Sequence, residues 1–165
     1  MDGVIARHTL GGFWFRARRL KEKILKKSHD QAYYPKNPLE KIAWLVIDWC
    51  RPALKEKKEF CSLAKEGKFK FYLITGRFRF LEKLTRQWLK KHGLADCFQE
   101  IVINVQDQDP MKFKLAKIKR LKLDCFIDDE KEVVSFLRQQ TSAKIFLQQL
   151  PPVSLVKLLN SWDAD

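Results

Sequence analysis

The feature that most constrains this chain is an alternation that runs from Pro52 almost to its end. Short apolar runs take turns with longer stretches that read as helices. Residues 69–74, 100–104, 125–127 and 143–147 are short and rich in β-branched and aromatic side chains, the composition of strands. Between them, 53–66, 78–92, 113–122 and 130–139 read as helices. Pro52 stands at the first turn of one of these and Gly67 ends it, while Lys90, Lys91 and His92 followed by Gly93 stop the next. Strands that alternate with helices predict an α/β fold, a parallel sheet with helices on both faces. Pro151 and Pro152 set off a terminal helix over 153–161.

The N-terminal third is less regular. Phe13, Ala17, Leu20 and Ile24 lie at helical spacing, which predicts an amphipathic helix over 13–27. Residues 28–38 are polar with two prolines and read as a loop. Residues 39–50 fit two templates. Leu39, Ile42, Ala43, Val46 and Trp49 follow a helical period, yet the run Ala43 to Ile47 also suits a buried strand. That run of five is far short of the roughly 20 apolar residues that span a bilayer. Hydrophobic residues make up 45% of the 165 and aromatics 12%, enough to build a core and to exclude disorder. Cys50, Cys61, Cys97 and Cys125 are widely spaced, which predicts neither a disulfide framework nor a zinc site. An acidic Asp2 and the pair Gly11-Gly12 leave no secretory h-region. The expectation is one domain over 1–165 in a reducing cytoplasm.

In open parallel sheets, ligands bind beyond the carboxyl ends of the strands. Two such ends carry chemistry here. Thr75-Gly76-Arg77 offers a hydroxyl, a residue that permits close approach and the start of a helix, a combination suited to phosphate but also to an ordinary turn. Asp128-Asp129 places two carboxylates side by side, which calls for a cation such as Mg²⁺, although an Asp here also makes a good helix cap. Lys114, 128 − 114 = 14 residues before Asp128, opens the intervening helix and could meet a phosphate or the acidic pair.

Strand-Thr75-Gly76-Arg77, then Lys114, then strand-Asp128-Asp129 resembles the second, third and fourth motifs of the haloacid dehalogenase-like (HAD) superfamily, over about residues 53–147. The resemblance implies a Rossmann-like parallel sheet as the core, 13–50 as a small helical cap or insertion, and 153–165 as a C-terminal helix and tail. It implies a Mg²⁺-dependent phosphatase that works through an aspartyl-phosphate. Thr75, with Gly76, would bind the phosphoryl group, and Lys114 (or, as second choice, Lys112) would stabilise its charge. Asp128 and Asp129 would hold the metal.

The family's first motif is an apolar strand ending in Asp-x-Asp. Met1-Asp2-Gly3-Val4-Ile5 resembles it from the second Asp onward, making Asp2 the acid/base residue and a metal ligand through its backbone. The nucleophile and the central first strand would then precede Met1. The rival is Ala43 to Asp48, with Asp48 as nucleophile. It carries Cys50 two residues on, and it lies only 75 − 48 = 27 residues before Thr75, against 75 − 2 = 73 for Asp2. The expectation is Asp2, with 39–50 as a cap or linking helix. It follows that the sheet lacks its middle unless 43–47 substitutes, and that the chain is a poor or inactive phosphatase.

Charge adds a second functional reading. Lys and Arg exceed Asp and Glu by 33 − 20 = 13. Residues 14–27 hold seven cations (Arg16, Arg18, Arg19, Lys21, Lys23, Lys26, Lys27) against Glu22, beside Phe13, Trp14 and Phe15. Such a face suits nucleic-acid phosphates with rings free to stack, or serves as a solvated helix whose rings pack inward. A positive field also draws a small phosphorylated substrate.

Overall fold

A computed structural model of the chain describes residues 4–5, 35, 37–148 and 154–157. It is a mixed α/β fold with parallel strands. Helix α1 spans Pro38–Trp49 and α2 spans Lys57–Lys65. Strand β1 (Tyr72–Thr75), a 3₁₀ turn (Arg79–Leu81) and α3 (Glu82–Lys91) follow. A second 3₁₀ turn (Ala95–Cys97) leads into β2 (Glu100–Ile103), α4 (Pro110–Leu121), β3 (Cys125–Asp128), α5 (Lys131–Gln140) and β4 (Lys144–Leu147).

The alternation is therefore present in the order expected, with shifted ends. Helix α4 starts three residues earlier than its apolar pattern suggests. Asp109 caps it by accepting from the Lys112 amide at 2.9 Å, and Pro110 takes the first helical position, where a missing N–H costs nothing. Gly93, at φ 68°, ends α3 where the sequence placed the stop.

The expected single sheet is instead two pairs. β1 pairs in parallel with β2, Tyr72 opposite Glu100, and β3 pairs in parallel with β4, Cys125 opposite Lys144. Among the described residues no hydrogen bond joins the pairs. The proposal that 43–47 supplies a substitute strand is overturned, because those residues are helical. Asn37 caps α1 through the Leu39 amide (2.9 Å) and Pro38 opens it, so a helix is nucleated before the apolar run begins.

Two apolar cores flank the strands. One gathers Leu54, Phe60, Leu73, Trp88, Leu89, Leu94 and Ile5, with Ile101 and Ile127 against it. The other gathers Ile74, Val102, Phe113, Ile118, Phe126, Val133, Leu137 and Ile145. Neighbouring strand residues thus point to opposite cores, as the two-residue period requires.

Helix α1 presents its apolar stripe outward: Leu39 is 74% exposed and Ile42, Val46 and Trp49 are exposed too. Its inward residue is Asp48, at 2%. Spacing alone gave the stripe but not its direction.

The cysteine expectation also needs correcting. Cys61 on α2 and Cys97 in the second 3₁₀ turn form a disulfide, their Cα atoms 5.3 Å apart across a sequence separation of 36. Packing of α2 against that turn brings them together, which linear spacing does not show. The amphipathic segment 13–27 lies outside the described residues; of 153–161 the structure describes 154–157, with 155–157 helical.

Candidate functional site

The carboxyl ends of β1 and β3 lie at one rim, and the first turns of α4, the helix between β2 and β3, meet both. Gly76 follows β1 directly and sits against the start of α4: a Cβ there would lie 3.0 Å from the Cβ of Pro110. One turn further on, Lys114 points inward and its Nζ donates to Asp128 Oδ2 at 2.6 Å, both side chains buried. The other carboxylate oxygen, Oδ1, accepts from the Glu130 amide at 3.1 Å, turning the chain from β3 into α5. Each Asp128 oxygen thus has a protein partner.

Thr75 is buried at the end of β1, where its Oγ1 accepts from the Arg77 amide at 3.4 Å. Asp129 is half-buried beside Asp128. Lys112 is exposed, on a different face of α4 from Lys114, so Lys114 is the lysine that meets the carboxylate. Asp2 lies outside the described residues, as do the cations of 14–27.

Asp48 is held elsewhere. Its Oδ1 lies 3.0 Å from Arg51 Nε and accepts from Arg77 Nη2 at 3.2 Å, while Arg77 Nη1 donates to Thr85 Oγ1 at 3.2 Å. All four side chains are buried. This network clamps α1 to the start of the β1–α3 connection, and Trp88 Nε1, donating to the Arg51 carbonyl at 2.8 Å, pins the next loop. A carboxylate held between two guanidinium groups is a weaker nucleophile than a free one, and the geometry gives Asp48 the part of an ion-pair clamp. Sequence reading quoted Arg77 only as a helix start; nothing in its neighbours marks it as the partner of a residue 29 positions earlier.

Asn104, just past β2, is a second residue the sequence reading passed over. Its Oδ1 accepts from the Gln108 amide at 3.0 Å and its Nδ2 donates to the Gln108 carbonyl at 2.7 Å, which folds the loop that delivers α4 to the rim. Burial pushes the Cys125 thiol up to about 11, with Asp124 adding to the effect, so it stays protonated at neutral pH and offers no thiolate nucleophile.

Among the described residues no group of three His, Cys, Asp or Glu side chains gathers to hold a metal. Mg²⁺ takes one or two carboxylates and keeps its waters. Asp128 and Asp129 meet that in number, but Lys114 already occupies the Asp128 oxygen an ion would want. No protein-family model, curated protein or solved structure matches the chain.

Proposed function

We propose that the rim formed by Thr75, Gly76, Lys114 and Asp128 is a phosphoryl-binding site on a Rossmann-like scaffold of the haloacid dehalogenase type. In this reading the parallel strands are its core, 13–50 its small cap, and the protein a phosphatase-like hydrolase of poor or no turnover. One observation carries it: the buried 2.6 Å contact of Lys114 with Asp128 at the ends of parallel strands, beside the Thr75 hydroxyl. Among the described residues an ammonium so placed is charge-balanced by Asp128, and a bound phosphoryl group would share it. The Thr75 hydroxyl and the backbone N–H groups after β1 would donate to the remaining oxygens. Lys114 would move toward the substrate and thereby free an Asp128 oxygen. Asp128 and Asp129 would then be the ligands of Mg²⁺, which would neutralise phosphate charge when bound. Asp2, in the family pattern, would move the proton. Asp128, the buried carboxylate at the rim, is engaged by Lys114 and is not offered to phosphorus as a nucleophile, which is why the proposed turnover is poor.

The test pairs binding with turnover. Inorganic phosphate should bind the purified chain in Mg²⁺, and Thr75→Val, which keeps the shape and removes the hydroxyl, should weaken it at least tenfold. Hydrolysis of an aryl phosphate should stay near background. Equal phosphate binding by wild type and Thr75→Val would remove the site. Strong Mg²⁺-dependent turnover lost in Asp128→Ala would keep the site and overturn the inactivity. The alternative reading, a basic nucleic-acid-binding module on a non-catalytic scaffold, is favoured by the seven-to-one charge ratio of 14–27. It is the outcome if oligonucleotides bind with steep salt dependence, Arg18, Arg19 and Lys23 reversals weaken them, and phosphate does not compete.

A further inference from the structure

The Cys61–Cys97 disulfide stands in the wall of a cleft that shares no residue with the strand rim. The cleft, about 360 Å³ in volume, opens between α2 and the end of α3. Cys61 lines it and is half-buried, whereas Cys97 is only 7% exposed. A reagent in the cleft therefore meets the disulfide at the Cys61 sulfur, and access decides which sulfur is attacked.

The sequence of α2 surrounds that sulfur with cations. Residues three and four positions apart share a helix face. Lys57 and Lys58 precede Cys61 by those spacings and Lys65 follows it by four, so three ammonium groups flank one sulfur. All three lysines line the cleft. Lys57 Nζ donates to the His92 carbonyl at 3.4 Å, which ties the start of α2 to the end of α3. Among the described residues neither Lys58 nor Lys65 has an ion-pair partner. The nearby Glu66 accepts from Ser62 Oγ at 3.2 Å. A cleft lined by one sign of charge concentrates its field on whatever enters. His92, also in the lining, registers that field: burial first, then Lys57 and Lys91, hold its pKa below 6.5.

We propose that this cleft admits a small anionic thiol, which reduces the Cys61–Cys97 bond in the folded chain. The lysines attract the reagent's carboxylates and favour its thiolate, the form that attacks. The thiolate bonds to Cys61 Sγ, the Cys61–Cys97 bond breaks, and Cys97 leaves as a thiolate. A second thiolate attacks the reagent's sulfur in that mixed disulfide and releases Cys61. Two thiols are oxidised to one disulfide, one protein disulfide is reduced, and the protons of the two thiols pass to the cysteines. The Gly93 carbonyl oxygen lies 3.6 Å from Cys61 Sγ and 3.7 Å from Cys97 Sγ, placed to accept from either thiol so formed. Reduction frees α2 from the second 3₁₀ turn, so the tie between them answers to the supply of anionic thiol. None of this depends on what binds at the strand rim.

Reduction rates of the native full chain test it, with glutathione as the anionic thiol, 2-mercaptoethanol as the neutral one and cysteamine as the cationic one. Alkylation followed by mass measurement reads the reaction as two labels beyond those of the free Cys50 and Cys125. Reversing Lys58→Glu and Lys65→Glu together should slow glutathione about tenfold, leave 2-mercaptoethanol within about twofold and speed cysteamine. Wild type gives a second reading that needs no variant. Salt at about 0.5 M should slow glutathione and leave 2-mercaptoethanol unchanged, because screening then acts within a few ångströms. The proposal fails if the double variant shifts all three thiols alike or none of them, or if salt leaves glutathione unaffected. It also fails if every thiol reaches the same limiting rate as its concentration rises, since reduction then waits on unfolding and the cleft has no part in it.

Discussion

Two buried carboxylates meet different company in this fold. Among the described residues Asp128 meets Lys114 at 2.6 Å, whereas Asp48 meets both Arg51 and Arg77, at 3.0 and 3.2 Å. The first pair is balanced and depends on a single contact. The second rests on two cations, and Arg77 is also held by donating to Thr85. A buried pair fails badly when one partner goes, whereas a carboxylate with two cations keeps one after losing the other. The first arrangement suits a site where a cation is to be shared with a ligand, and the second suits a clamp.

That contrast sets the sizes of three effects. Lys114→Met leaves Asp128 buried without its cation and should cost about 3–5 kcal/mol in chemical denaturation. Adding Asp128→Leu should recover most of it, and a cost below about 1 kcal/mol for the single variant would show that water reaches the pair. Arg77→Met should cost less, about 2 kcal/mol, the scale of lost hydrogen bonds to a charged group, because Arg51 still neutralises Asp48. If the two variants cost the same, the difference in cation number has no energetic meaning.

His92 gives the smallest effect and sharpens the comparison from the other side. It loses water without gaining a countercharge: burial first, then Lys57 and Lys91, hold its pKa below the ordinary 6.5. The unfolded chain then binds the proton more readily than the folded one. The contribution of neutral His92 is complete above pH 6.5 and declines as pH falls through that value toward the lower folded pKa. Replacing it by Gln should flatten the acid limb of the stability profile between about pH 7 and 5, whereas an unchanged slope would assign that limb to other groups.

How much of this was legible in the sequence depends on the range of the interaction. Strand and helix order was readable because it is set by local composition, and the strand-end residues Thr75 and Asp128 stood out because the fold class says where strand ends lie, with Lys114 on the helix that leads into β3. The start of α4 was also legible: Asp109-Pro110 is a cap followed by a favoured first residue, and reading only the apolar period missed it. Three features were not legible. The outward turn of Leu39, Ile42, Val46 and Trp49 depends on Asp48 finding Arg77, and a period has no sign. The Cys61–Cys97 bond depends on two elements packing side by side. The division of the strands into two pairs is a property of hydrogen bonding between distant segments, which no local pattern carries.

The disulfide has a topological consequence. Joining Cys61 to Cys97 makes the chain from 61 to 97 a closed ring, and β1 and α3 are both inside it. A peptide bond cut anywhere within that ring would leave a molecule of unchanged mass apart from one added water, its ends still covalently joined through sulfur. Strand β1 is therefore anchored twice, once along the backbone and once around the loop.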